Sequence, residues 1–204
     1  MEINHELPAW ECPETLSTVE RLSLANQFKI LSALNASDRH EALRYQHLAE
    51  IVQSGYKDHY YLVFGETEPE LSKEHQRLLN QILGMFRAIN HGLAALDSAT
   101  RNQLLADSQF SLTFEGFDFN NSLEFRLHRY LTFLLAIGNW ADMKPQVESL
   151  PDGGDSNTPR LTQYLKMLAV HEAIKLEMKS RIGLPARDQF LLNPSDLLRL
   201  TSNS

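Results

Sequence analysis

With 204 residues, 43% of them hydrophobic and 22% charged, the chain is long enough to bury a core of its own and has the composition of an ordinary globular protein. A net charge of -7 argues against general binding to a nucleic-acid backbone, which is driven by Lys and Arg displacing counterions. No apolar run approaches the ~20 residues of a membrane span, the N-terminus lacks the basic start of a signal peptide, and the single cysteine, Cys12, has no partner for an internal disulfide, so a cytoplasmic location is expected.

Residues 1–16 form an acidic arm, with no Lys or Arg before Arg21. Ser17-Thr18-Val19-Glu20 fits a capping box, and Leu24, Phe28, Leu31 and Leu34 continue as one stripe, predicting a helix that stops near Asn35. Asp38 to Glu41 starts a second helix whose stripe of Ala42, Tyr45, Leu48 and Ile51 runs to Gly55, a residue suited to a left-handed terminator. The short connection makes these two helices neighbours in a hairpin. Tyr56 to Gly65 has strand propensity but no partner strand, which favours a short helix, and an acidic linker with Pro69 follows.

The longest helix is expected from about Ser72 to Leu96, with Leu78, Ile82, Phe86, Ile89 and Leu93 inward. Gly84 and Gly92 interrupt it, and their small size suits close contact with another helix, which suggests self-association. Asp97 to Ser111 reads as a polar turn with a helical piece at Arg101 to Leu105. After the aromatic run Phe114-Glu115-Gly116-Phe117-Asp118-Phe119-Asn120-Asn121, Asn121 caps a helix carrying Leu123, Leu127, Tyr130, Leu134, Ile137 and Trp140. Lys144 to Asn157, with Pro145, Pro151 and paired glycines, reads as a loop. Thr158-Pro159 then reads as cap and first turn of a helix through Leu161, Leu165, Leu168 and Ala169, and Asn193-Pro194 repeats the device before a last helix at Ser195 to Leu200. The fold class is an irregular all-α bundle of six or seven helices with a short C-terminal helix, in one domain over 17–204.

Arg21 to Leu34, the aromatic run and Tyr164-Leu165-Lys166-Met167-Leu168, in this order and spacing, resemble the YfbU family of bacterial proteins. The likeness covers roughly Val19 to Ala173, with 174–204 as a C-terminal extension. It implies an all-helical fold and, because some relatives carry a helix-turn-helix segment beside this domain, a ligand-sensing or interaction module rather than an enzyme.

No catalytic constellation stands out, and neither a cofactor nor a metal is expected. Asp118, Asn120 and Ser122 match the first oxygens of a calcium loop, but Leu123 and Arg129 occupy its sixth and twelfth positions. The structural reading of the run is a turn that packs its Phe side chains and caps a helix. The functional alternative is an anion or ligand site built from Asp118, Asn120 and Asn121 with Arg126 and Arg129 behind the helix N-terminus. Phe86, Phe114, Phe117, Tyr130 and Trp140 are candidates to line a pocket between helices, or to fill the core.

The eight histidines form no HxxxH or HExxH pair. His40 and His47 share a helix face with Arg44 between them, a weak basis for a nuclease-like hydrolase working with His171 and the C-terminal basic residues Arg160, Lys166, Lys175, Lys179, Arg181 and Arg187. Glu66, Glu68, Glu70 and Glu74 read as solvated linker carboxylates. The expected function is a non-enzymatic module that binds a small anionic ligand or a protein partner, with direct nucleic-acid binding and membrane contact disfavoured. Its alternatives are that hydrolase and a structural adaptor docking through the acidic arm.

Overall fold

The computed structural model describes residues 12–65, 70–182 and 191–201, with the backbone alone for Arg181 and Ile182. Residues 1–11 of the acidic arm, Glu66, Glu68 and Pro69 of the linker, Arg187 and the Arg181 side chain lie outside the described residues. Among the described residues the regular structure is all helical: α1 (Thr18–Leu34), α2 (Arg39–Ser54), α3 (Tyr60–Phe64), α4 (Lys73–Ala94), α5 (Ser98–Asp107), α6 (Ser122–Ala136), α7 (Lys144–Glu148), α8 (Leu161–Ile182) and α9 (Pro194–Thr201). Seven of these have eight residues or more; α3 and α7 are single turns. The chain divides into two compact units, Met1–Glu70 and Leu71–Ser204.

The first unit is a helical hairpin. Ser17 accepts from the Glu20 amide while the Glu20 carboxylate accepts from Ser17, completing the capping box of α1. Asp38 caps α2 through the amides of His40 and Glu41, and Gly55 ends it at φ 74°. A side chain at Gly55 would meet the Arg21 guanidinium as well as adopt a left-handed backbone. Ser32, buried in α1, donates to the Ala42 carbonyl and accepts from Gln46, so a polar tie joins the two helices. The core is small: Leu48, Ile51 and Tyr60, with Leu16, Phe28, Tyr45, Val63 and Phe64 against them.

The second unit is built on α4, whose Leu79, Ile82, Leu83, Met85, Phe86 and Ile89 are all fully buried. Helices α6, α8 and α9 pack on it. Leu78 and Leu93, expected inward, are only partly buried, while Leu79 and Leu83 complete a wider face than a single stripe predicts. Gly92 does admit a close neighbour, but that neighbour is the same chain: a Cβ there would lie 2.9 Å from the Leu192 carbonyl oxygen. At Gly84 the nearest atom is the Trp140 ring at 3.8 Å, an ordinary contact.

Four sequence expectations change. Helix α5 is longer than Arg101 to Leu105, because Asp97 caps it through the Thr100 amide and Leu104 anchors it in the core. The segment 144–157 is not all loop: α7 tolerates Pro145 in its first turn, where the missing N–H has no helical partner to lose, and a 3-10 turn spans Pro151–Gly154. Helix α6 ends at Ala136, with Gly138 at φ 84° and the Asn139 amide bonded back to Leu134, so Trp140 stands outside it and Ile137 is exposed. Helix α8 buries Tyr164, Met167, Leu168, His171 and Ile174, leaving Leu165 of the expected stripe exposed.

His171 is 4% exposed, and burial first, then the Lys175 charge, pushes its pKa down to about 4 against the opposing Glu172 carboxylate. The folded state holds the imidazole neutral, and the unfolded chain takes up a proton near pH 6.5. Its contribution to stability is therefore full above that pH and declines as the pH falls from 6.5 to 4, by roughly 3 kcal/mol in all. Urea unfolding of the wild type and His171→Leu across this window is expected to show a steeper acid loss in the wild type; parallel curves would contradict the assignment.

Candidate functional site

The aromatic run folds into a turn held from four sides. Phe114, Phe117 and Phe86 are fully buried around the Tyr164 ring: Phe86 and Phe117 pack edge-on at centroid distances of 5.1 and 5.9 Å, and Phe114 stacks on it at 5.6 Å. The Tyr164 hydroxyl donates to the Gly116 carbonyl and accepts from the Glu115 amide, both at 3.0 Å. Burial pushes the Tyr164 pKa up, so the phenol keeps the proton it donates. Gly116, at φ 84°, lies against Gly154 so closely that a Cβ would sit 2.0 Å from its carbonyl oxygen. There the Phe117 amide donates to Gly154 and the Ser156 amide donates to Phe117, an isolated parallel β-bridge between turn and 3-10 segment.

The polar groups of the turn are spent on the same purpose. Asp118 is 5% exposed, and its Oδ1 accepts from the amide and side chain of Asn120. Asn121 Oδ1 accepts from the amides of Leu123 and Glu124, occupying the donors an anion would need at the start of α6. Asp155 Oδ1 accepts from the Phe119 and Asn157 amides.

At the centre is Glu124, 1% exposed. Its Oε2 accepts from the Asp118 amide at 2.9 Å and the Arg160 amide at 3.1 Å, and its Oε1 from the Leu161 amide at 2.9 Å. The N-terminus of α8 is thus capped by a carboxylate from α6, not by Thr158, whose hydroxyl bonds Ser156 instead. Three donors and the positive end of α8 compensate a buried charge.

Of the residues expected to form an anion site, Asp118, Asn120 and Asn121 come together as turn and cap, with Arg126 half-buried and Arg129 exposed on α6. Of those expected to line a pocket, Phe86, Phe114 and Phe117 share the closed cluster around Tyr164. Tyr130 stacks instead near Phe133. Trp140 stands apart in a left-handed backbone (φ 57°), its indole donating to Asn80 and its ring 4.2 Å beneath the Arg87 guanidinium, which also pairs with Asp142. His128 lies 4.5 Å from the Phe119 ring, and desolvation lowers its pKa against the Asp155 charge.

Among the described residues no three His, Cys, Asp or Glu side chains gather as a metal-holding group. His40 and His47 are exposed on α2, in the other unit from buried His171. Two of the basic C-terminal residues are paired with acids: Arg160 with Glu115, distant in sequence, at 3.2 Å, and Lys175 with Glu172, three residues before it, at 2.9 Å. Sequence reasoning missed Glu124, Tyr164 and Asp155. For Glu124 the one local signal was its place three residues after the Asn121 cap.

A family model described as YfbU domain matches residues 15–201. A UPF0304 protein of Pasteurella multocida is 28% identical over 158 residues, covering 78% of this chain and 88% of the relative. Another, from Methanocaldococcus jannaschii, is 25% identical over 158 residues with the same shares. No described helix is long and apolar enough to cross a membrane.

Glu124→Ala leaves three amides without their acceptor and is expected to cost roughly 3–5 kcal/mol, with Glu124→Gln, which keeps one carbonyl acceptor, losing less. Denaturant unfolding measures both, and a loss below about 1 kcal/mol for the alanine variant would contradict the role assigned to this side chain.

Proposed function

The chain belongs to the YfbU domain family, and from that premise we propose that it works as a non-enzymatic interaction module that docks a helical protein segment on the outer face of α1. The carrying observation is the exposure of four large aliphatic side chains on that face: Val19 (77%), Leu22 (61%), Ile30 (60%) and Leu34 (75%). At 100° per residue these positions and Asn26 fall on one side of the helix, opposite Leu24, Ala25, Phe28, Leu31 and Ser32, which face the rest of the hairpin. Four such side chains expose on the order of 400–500 Å² of apolar surface, within the range of the largest patch a monomer carries, and patches of that size are commonly functional.

A binding role rather than a catalytic one is supported by the polar groups of the aromatic turn. The oxygens of Asp118, Asn121 and Glu124 accept from backbone amides, which leaves them poorly placed to act on a substrate. The small anionic ligand suggested by the turn sequence draws no support from a helix N-terminus already capped.

Leu22→Asp combined with Ile30→Asp, both at exposed positions, is expected to leave helicity and unfolding within about 1 kcal/mol of the wild type. Association is expected to weaken roughly hundredfold. A photo-crosslinking amino acid at Ser23 should capture a discrete product in intact cells, lost in the double aspartate variant, whereas the same group at exposed Glu50 on α2 should not. Equal capture at the two positions would contradict the proposal.

A further inference from the structure

Beyond the docking face, we infer that the groove between α1 and α2 is a binding site for a carboxylate carried on a short aliphatic body. The groove is open to solvent, has a volume of about 620 Å³ and lies within the first unit. Two matching rows line it: Lys29, Ser32, Ala33 and Ala36 from α1 and the turn after it, and Arg39, Ala42, Leu43 and Gln46 from α2. Each row is spaced i, i+3, i+4 and i+7, the spacing that aligns side chains along one side of a helix.

The charge of this lining has one sign. Lys29 and Arg39 are exposed, one on each side, and no carboxylate lines the groove among the described residues. The acids beside Arg39 in sequence are engaged elsewhere: Asp38 caps α2 through the amides of His40 and Glu41, and Glu41 pairs with Arg44 at 3.3 Å. A chain of net charge -7 thus keeps two cations and no acid around one opening, and the complement of that arrangement is an anion. The planar fork of a guanidinium matches the two oxygens of a carboxylate, and the Lys29 ammonium adds a second charge from the facing row.

The remaining residues say what the anion is attached to. Ala33, Ala36 and Ala42 line the groove with methyl groups and little bulk, and Leu43, 42% exposed, adds apolar surface that a short aliphatic chain would cover. Ser32 donates to the Ala42 carbonyl at 3.0 Å and accepts from Gln46 Nε2 at 3.3 Å, a tie that holds the two rows at a fixed separation. Gln46 keeps a second N–H for the ligand. Because the cations stay in contact with water, dissociation on the order of 1 mM is expected. A free short-chain acid and the C-terminal end of a polypeptide with an aliphatic last residue share this chemistry.

Amide NMR spectra of the full chain, titrated with valerate to about 20 mM, test the site. Shifts should saturate and concentrate on amides between Lys29 and Gln46, while pentanamide, the uncharged isostere, should leave them in place at the same concentration. Lys29→Gln combined with Arg39→Gln, both at exposed positions, should weaken binding at least tenfold. Ala36→Trp, which fills the space and keeps both charges, should do the same, separating a shaped site from loose attraction to two cations. An N-acetylated dipeptide ending in leucine distinguishes the sources: tighter binding than valerate, lost on C-terminal amidation, assigns the site to a polypeptide end, and binding no tighter than valerate assigns it to a small acid. Shifts that rise without saturating, an equal response to pentanamide, or binding unchanged in the charge or the Trp variant would overturn the inference.

Discussion

The Glu124 carboxylate is the joint on which the larger unit depends. A charge buried to 1% exposure survives only where donors replace its water, and here they come from three places in the chain: Asp118 in the aromatic turn, and Arg160 and Leu161 at the start of α8. One side chain thereby ties the first turn of α6 to the start of α8 and to the aromatic turn that precedes α6. Tyr164 closes the arrangement from the next turn of α8, its ring among Phe86, Phe114 and Phe117 and its hydroxyl on the backbone at 115 and 116. Gly116 has no alternative at that spot, because the Gly154 carbonyl fills the space a side chain would need.

In the most distinctive stretch of sequence, the polar side chains bond to the backbone of the turn and of the helices beside it. Aromatic and Asx residues dense in a turn can line a site or close a core, and here their atoms are taken up internally. In the smaller unit, a hairpin with few large buried side chains leaves Val19, Leu22, Ile30 and Leu34 in water. Such exposure has a hydrophobic cost that docking would recover.

What was legible in the sequence was local. The caps at Ser17, Asp38, Asn121 and Asn193 and the terminator at Gly55 act within three or four residues, so a pattern of that length reveals them. Thr158-Pro159 placed the start of α8 to within a few residues, but its cap was not legible, because it arrives from 37 residues away in α6. Periodicity placed α8 but misjudged its inward face, since Tyr164 and His171 are amphipathic and carry no apolar signal strong enough to outweigh Leu165. The short helix at Lys144–Glu148 was hidden by Pro145, a residue that breaks helices everywhere except in their first turn. For the site, the sequence marked Phe86, Phe114, Phe117, Asp118 and Asn121 as unusual, but whether such residues face a cavity or one another is a property of packing and not of pattern.

Amide hydrogen exchange followed by mass spectrometry, on the wild type and Glu124→Gln, addresses the account most directly. The peptide spanning 114–124 and the first turn of α8 should exchange slowly in the wild type, as α4 does, and faster in the variant. Rapid exchange of the aromatic turn in the wild type, or no difference between the two proteins, would contradict the role of Glu124 as the joint of the larger unit.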